Sequence, residues 1–299
     1  MNNWHIRILD TPEELQMVEE LQRIIWPGSE TDVVPLHLLR TAVHNGGLVI
    51  GAAIPGSESD QMVGFVFGFP GFYTTPDGPR LKHCSHMLGV HPEFRGQGLG
   101  FQLKRAQWQI VRHQGLDRIT WTYDPLLSRN AHLNVARLGA VCSRYLRAVY
   151  GEMRDELNKG LPSDRFEVDW WVNTQRVDRR LSKNARLRLD LSQFLAAGAE
   201  VINPARINEQ GWPAPAELVK FPEALEHGEE VPVLLLVEVP ADFQELKRND
   251  VELARGWRMH SRMVFEKLFE DGYLVTDFVY MPGKEPRSYY VMTHGEATL

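Results

Sequence analysis

The glycine-rich segment Arg95-Gly96-Gln97-Gly98-Leu99-Gly100 constrains the fold of this chain more than any other stretch. It follows an apolar, strand-like run at residues 82–90 and precedes a segment whose apolar residues recur at helical spacing: Leu99, Leu103, Ala106 and Ile110. Glycines at alternate positions remove every Cβ from one face of a turn, so backbone N–H groups can approach a ligand closely. The first amides of the helix, its dipole and Arg95 add positive charge. The pattern predicts a strand, a loop suited to a pyrophosphate, and a helix.

The composition is that of an ordinary soluble globular protein. With 299 residues, 43% of them hydrophobic and 24% charged, the chain is long for one domain and comfortable for two. A net charge of −6 gives no reason to expect a nucleic-acid or membrane-surface partner. Cys84 and Cys142 are too few for a disulfide framework or a zinc cage. Without a signal-peptide core or an apolar run of roughly 20 residues, a cytoplasmic protein without a metal is expected.

The first part of the chain alternates strands and helices in an order that places the glycine loop after the fourth strand. The expected elements are a strand (5–9), two helices (12–25 and 35–44) and three strands (48–54, 62–69 and 82–90). After these come the loop (95–100), a helix (99–114), a strand (118–123), a helix (128–137) and two strands (141–150 and 166–172).

The last third of the chain has weaker patterns. Residues 176–188 are basic and irregular, and residues 206–215 are typical of a loop. Strands are predicted at 233–239, 274–280 and 288–292, with a long helix from near 250 to 271. These patterns predict a smaller α+β extension without a glycine loop.

Two other phosphate-binding loops fit the glycine segment less well. A dinucleotide site of the Rossmann type needs G-x-G-x-x-G directly after the first strand, whereas the spacing here is G-x-G-x-G, several residues beyond the fourth strand. Asp124, at the end of the next strand, is the one residue placed like a ribose-binding acid. A Walker A loop is excluded, because no Gly-Lys-Ser/Thr closes the motif.

The run Leu88-Gly89-Val90-His91-Pro92-Glu93-Phe94-Arg95-Gly96-Gln97-Gly98-Leu99-Gly100 closely resembles the acyl-CoA-binding motif of the GNAT superfamily of N-acyltransferases. More narrowly, the chain resembles a largely uncharacterised branch of predicted acetyltransferases that carries a C-terminal extension. Four short segments carry that likeness: Asp124-Pro125-Leu126, Arg129-Asn130-Ala131-His132, Leu138-Gly139-Ala140 and Gly160-Leu161-Pro162.

The resemblance implies an α+β (three-layer α/β) fold with a mixed central sheet flanked by helices. It implies a catalytic domain at residues 1–175, followed by the extension at 176–299. In the superfamily the fourth and fifth strands part after a bulge, and the pantetheine of coenzyme A lies between them. Gly89 is the expected bulge residue here, and the N–H of Val90 is expected to stabilise the thioester oxyanion.

Acetyl-CoA or free coenzyme A is therefore the expected co-substrate. Its binding residues are expected at the strand end and in the loop, with Asn130 as a further candidate for the pantetheine amides: Leu88, Gly89, Val90, Arg95, Gly96, Gln97, Gly98, Leu99 and Gly100.

The catalytic groups are less well determined. Many superfamily members carry a glutamate where this chain has Cys84, and no carboxylate occurs at residues 82–90. His86 lies on the same strand face as Cys84, and its imidazole can act as a general base at neutral pH. The alternative is that His86 has a structural role only. The usual tyrosine acid is replaced by Val135, which leaves Tyr145 as one alternative proton donor. The acid assignment stays open.

The expected function is transfer of an acetyl or other acyl group from coenzyme A to a primary amine by direct attack. The acceptor is expected to be a small molecule or a peptide N-terminus, and its identity cannot be read from the sequence. Two alternatives are a non-catalytic acyl-CoA sensor and a tandem acyltransferase whose C-terminal third repeats the fold. The extension either caps the acceptor site, forms a homodimer interface or packs as a structural domain. Trp170-Trp171 is the expected seam, and Arg165, Arg176, Arg179 and Arg180 are candidate contacts for an anion.

Overall fold

The computed structural model describes residues 4–28, 30–56, 61–151, 160–182, 188–222 and 231–295. These residues divide into two compact units. Unit 1 contains the described residues up to position 121 together with Trp171–Asn173, and unit 2 contains the other described residues from position 122 onward.

Unit 1 is built on a mixed sheet. Its elements are β1 (His5–Ile8), α1 (Pro12–Ile25), α2 (Leu36–His44), β2 (Leu48–Ile54), β3 (Gln61–Thr75), β4 (Gly78–Val90), α3 (Leu99–His113) and β5 (Arg118–Tyr123), the last two residues of β5 being counted in unit 2. The strands lie in the order β1-β2-β3-β4-β5. The pairs from β1 to β4 are antiparallel, and β4 pairs with β5 in parallel.

Alternating side chains give this sheet two apolar faces. Val49 and Phe65 pack with the buried residues of α1 and α2 on one face. Ile50 and Val66 pack with Leu99 and other residues of α3 on the opposite face. Because successive strand residues point to opposite faces, neighbours such as Val49 and Ile50 enter different cores. The result is a three-layer arrangement of two helices, a sheet and one helix.

The local signals of unit 1 act as predicted, with one difference in strand length. Thr11 and Glu14 form the expected capping box at the start of α1. The sequence predicts strands that stop at residue 69 and resume at 82, whereas β3 and β4 continue to Thr75 and Gly78. Glycine and proline in that stretch hide the strand pattern, yet the antiparallel register is unbroken from Gly68 to Thr75.

Unit 2 contains the remaining elements: α4 (Ser128–Ala131), continuing as a π-helical segment (His132–Arg137), β6 (Val141–Leu146), β7 (Arg165–Trp171), α5 (Gln175–Leu181), α6 (Leu191–Ala196), β8 (Glu200–Val201), β9 (Arg206–Ile207), β10 (Pro213–Ala214), β11 (Leu234–Pro240), α7 (Phe243–Asn249), α8 (Val251–Glu270), β12 (Tyr273–Met281) and β13 (Arg287–His294). The last residue of β7 is counted in unit 1.

The strands of unit 2 lie in the order β7-β6-β12-β13-β11-β8. All pairs are antiparallel except the short pairing of β8 with β11. An aromatic cluster of Phe166, Phe265 and Tyr290 packs edge to face at the centre, and all three residues are buried. Among the described residues beyond position 176, the strands of this sheet lie in the order β12-β13-β11-β8.

The α+β class with a mixed sheet flanked by helices is confirmed. The long helix predicted near 250–271 is present as α8, whereas α5, α6 and α7 are not anticipated by the sequence analysis. β6 ends at Leu146 rather than at 150, because the chain turns at Ala148 with a φ of 47°. The boundary near residue 175 stays a prediction. Among the described residues, no helix is long and apolar enough to cross a membrane.

Candidate functional site

The two strands that flank the glycine loop part near their middle. β4 and β5 pair only through His83 with Ile119 and Cys84 with Thr120. Beyond these pairs β4 continues for six residues to Val90 and keeps its pairing with β3 on the other side. One edge of β4 between Ser85 and Val90 is therefore unpaired by β5 within the described residues.

Backbone groups of β4 point into this gap. His91 donates its N–H to the carbonyl of Val63 on β3, 2.9 Å away. Because antiparallel pairs alternate between bonded and non-bonded residues, the N–H groups of Val90 and Leu88 point away from β3, toward the gap. A linear ligand with amide groups could hydrogen-bond to this edge as an added strand does.

The glycine loop stands at the end of β4. Gly96 and Gly98 have φ values of 80° and 85°, in the left-handed region that favours glycine. Gly98 is the N-cap of α3, so the first amides of that helix open onto the loop. Arg95 is exposed and donates from Nε to the carbonyl of Val90 at 3.2 Å, which ties the loop to the strand. The loop thus presents helix amides, a dipole and one guanidinium to the same space.

A β-bulge lies on β4 at His86. Phe67 pairs with Met87 and the next residue, Gly68, pairs with Ser85, so His86 is the extra residue. The expectation of a bulge at Gly89 is wrong, because Gly89 pairs regularly with Phe65.

Gly89 instead allows α1 to pack closely against the sheet. A Cβ placed there would lie 2.7 Å from Ile25 Cδ1 and 2.8 Å from Phe65 Cε1, so only glycine lets α1 approach the sheet at this point. The sequence motif cannot distinguish a bulge glycine from a packing glycine, because both require a missing side chain.

The bulge presents His86 to solvent beside aromatic rings. His86 is exposed and packs edge to face on Phe67, with Phe69 also 5.9 Å away between ring centres. These apolar neighbours partly exclude water and lower the pKa of His86 below its ordinary value. The imidazole is therefore neutral at pH 7 and able to accept a proton.

Cys84 lies on the same face as His86, as predicted. Its side chain is half-buried, and a Cβ at Gly71 on β3 would lie 2.6 Å from its Sγ. His83 and Ser85 are buried on the opposite face, against α3. Burial, with Lys104 nearby, lowers the pKa of His83 to about 3, so this histidine is not available as a base at neutral pH.

The remaining predicted site residues belong to unit 2. Tyr145 donates from its hydroxyl to Asp164 at 2.8 Å, and burial raises its pKa well above the ordinary value. Asp164 is further held by Arg262 through two hydrogen bonds of 3.0 Å. Asn130 is half-buried on α4. The catalytic role of Tyr145 and the binding role of Asn130 stay predictions.

The candidate anion-binding arginines and the candidate ribose acid make internal contacts in unit 2. Arg176 donates to the carbonyl of Gly139 at 2.9 Å, and Arg180 bonds to Asp277 at 2.5 Å. Asp124 forms a buried, two-bond ion pair with Arg258. Arg180 and Asp124 are therefore each paired with an opposite charge of the protein itself. In the described part of the chain, no cluster of histidine, cysteine or acidic residues could hold a metal ion.

One family model matches the part of the chain that holds the loop. Residues 15–139, which are 125 of the 299, match the sequence model of the Acetyltransferase (GNAT) family. No curated protein matches the chain in sequence.

The solved structures that match this chain share little sequence with it. Arabidopsis thaliana NAA60 in complex with acetyl-CoA is 16% identical, with a TM-score of 0.45 over 56% of this chain and 99% of that one. The ribosomal-protein-S18-alanine N-acetyltransferase from Escherichia coli is 13% identical, with a TM-score of 0.43 over 62% of this chain and 100% of that one.

Proposed function

We propose, given that residues 15–139 match the model of the Acetyltransferase (GNAT) family, that this chain transfers an acyl group from coenzyme A to a primary amine. The observation that carries the proposal is the parting of β4 from β5 next to a glycine loop that opens onto a helix N-terminus. The acceptor that we propose is a small-molecule amine or a peptide N-terminus.

The donor site that we propose follows the backbone of unit 1. The loop amides and Arg95 would hold the pyrophosphate, because a helix N-terminus and a guanidinium both favour phosphate oxygens. The gap-facing edge of β4 at Leu88 would hold a pantetheine amide, which leaves the N–H of Val90 for the thioester. The available donors and acceptors therefore suit a long, amide-containing anion such as coenzyme A.

The reaction that we propose is direct attack of the amine on the thioester carbon. His86 would take the surplus proton of the attacking nitrogen as the nitrogen–carbon bond forms, since its imidazole is neutral and exposed. The N–H of Val90 would donate to the thioester oxygen as negative charge develops there. The carbon–sulfur bond then breaks and the sulfur leaves as a thiolate. We assign no general acid.

A non-catalytic acyl-CoA-binding protein is the second candidate function. It is favoured by the absence of a carboxylate at residues 82–90 of β4, where many superfamily members carry a glutamate. This candidate predicts binding of acetyl-CoA without release of the thiol in the presence of any amine.

The decisive experiment measures thiol release from acetyl-CoA against a panel of amines and peptide N-termini. We expect release with at least one acceptor and a fall in kcat of about a hundredfold in His86→Gln, the size of effect that a general base supplies. His113→Gln is the matched control, since His113 is exposed at the far end of α3.

Two results would contradict this account in different ways. Binding of acetyl-CoA with no release across the panel would favour the sensor. Release that is equally fast in wild type and His86→Gln would remove His86 from the mechanism.

A further inference from the structure

A lysine is buried where β4 and β5 part. Lys104, on the second turn of α3, is only 2% exposed. Its Nζ donates to Ser85 Oγ at 2.8 Å and lies 3.6 Å from the ring centre of Trp121. Ser85 is the first residue of β4 after the last one paired with β5, and Trp121 is the corresponding residue of β5. One amine therefore contacts both strands at the point of separation.

The amine belongs to a buried hydrogen-bonded group. Lys104 Nζ also donates to Gln107 Oε1 at 3.1 Å, and Ser85 Oγ donates to the same oxygen at 3.0 Å. The amide nitrogen of Gln107 lies 3.1 Å from Nε2 of His83, one residue pair before the separation. Three polar side chains of β4 and α3 thus meet around Lys104.

A buried amine at this place needs a reason, because an apolar side chain would fill the same space without the cost of desolvation. α3 starts at the glycine loop, and Lys104 lies five residues after Leu99, the first residue of the helix. The contacts to Ser85 and Trp121 therefore fix the distance between the loop-bearing helix and both strands. A hydrophobic contact would not specify that distance so closely, because it has no directional preference.

We propose that Lys104 is a positioning residue for the acyl donor, holding the start of the β4–β5 gap at fixed spacing from the glycine loop. The inference rests on the proposed function, because it requires that one ligand binds with one end in the gap and the other at the loop. Lys104 would act through its contacts to Ser85 and Trp121, one on each strand.

The test compares Lys104→Met, Ser85→Ala and the double variant in steady-state kinetics with both substrates varied. We expect each single variant to raise the KM for acetyl-CoA about tenfold, the effect of losing one hydrogen bond to a charged or strongly polar group. The KM for the amine should stay within about twofold of wild type. The effect of the double variant should be smaller than the sum of the two single effects, because the bond between Lys104 and Ser85 is lost in either one. Gln109→Met, on an exposed position of α3, is the matched control.

The outcomes separate this inference from the proposed function. If Lys104 has only a structural role, Lys104→Met will have a lower melting temperature with both KM values unchanged. That result would overturn this inference but not the proposed function. Ser85→Ala removes only the hydroxyl oxygen and remains informative if Lys104→Met fails to fold.

Should the wild type bind no acetyl-CoA, the proposed function fails. Amide hydrogen exchange without ligand then decides whether Lys104 sets the spacing. Faster exchange confined to residues 85–90 in Ser85→Ala supports that role, and unchanged exchange overturns it.

Discussion

Replacing Gly98 by alanine tests whether the loop backbone itself receives the donor. Gly98 has a φ of 85° and a ψ of 2° at the N-cap of α3. A Cβ added there meets nothing within 4 Å, so the substitution introduces conformational strain without a clash inside the protein. The new methyl group would stand in the open space above the helix amides, where the phosphate oxygens are proposed to lie.

The loss of stability can be worked out from the backbone conformation. An alanine in the left-handed region destabilises the folded state by roughly 1–2 kcal/mol. The lower conformational entropy of the unfolded alanine variant offsets about 0.4–1 kcal/mol of this loss. The expected net loss is about 1 kcal/mol in the free energy of unfolding. Gly115, beyond the other end of α3, has a φ of 76° and also meets nothing within 4 Å. Gly115→Ala should therefore cost the same, far from the loop.

The assay measures urea unfolding and acetyl-CoA titration for both variants. We expect matched losses of stability, with donor affinity lowered at least tenfold, or about 1.4 kcal/mol, in Gly98→Ala only. Equal donor affinities in the two variants would refute the placement of the pyrophosphate at the loop.

Three further predictions concern the rest of the structure. The pKa of His86 lies below its ordinary value and only the neutral imidazole accepts a proton, so kcat/KM for a weakly basic amine should fall on the acid side at a pH below the ordinary range of histidine; a pH profile of His86→Gln should lack this limb. Gly89→Ala should lower the free energy of unfolding by about 1–3 kcal/mol through overpacking, measured in urea, whereas Gly283→Ala, which meets nothing within 4 Å, should not. Arg258→Met, which leaves a buried carboxylate unpaired, should cost about 3 kcal/mol by the same measurement, against less than about 0.5 kcal/mol for the exposed Arg255→Met on the same helix.

The sequence predicts well what short-range physics decides. Capping at Thr11 and the helical period from Leu99 depend on neighbouring residues, and both are present as predicted. The long β3–β4 hairpin is missed between residues 70 and 81, because the pairing across the hairpin supplies the order that its glycines and prolines do not indicate.

The site is predicted less completely than the fold. The position of the bulge follows from strand register, so the motif points to Gly89 where the structure has His86. Lys104 is missed because a lysine beside an apolar stripe normally lies at the surface. Only the pairing of β4 with β5 shows that Ser85 and Trp121 lie beside it. The polar residues Ser85 and Gln107, each on a buried face, are the sequence signals that could have indicated a partner.

The most direct test of the central claim is calorimetric titration of the intact chain with acetyl-CoA, alongside Arg95→Ala. The account predicts one site per chain with a dissociation constant in the micromolar range, weakened about tenfold in Arg95→Ala, while the free energy of unfolding falls by no more than about 1 kcal/mol from loss of the bond to Val90. Absence of a binding isotherm for the wild type would contradict the assignment of the loop and the β4–β5 gap to coenzyme A.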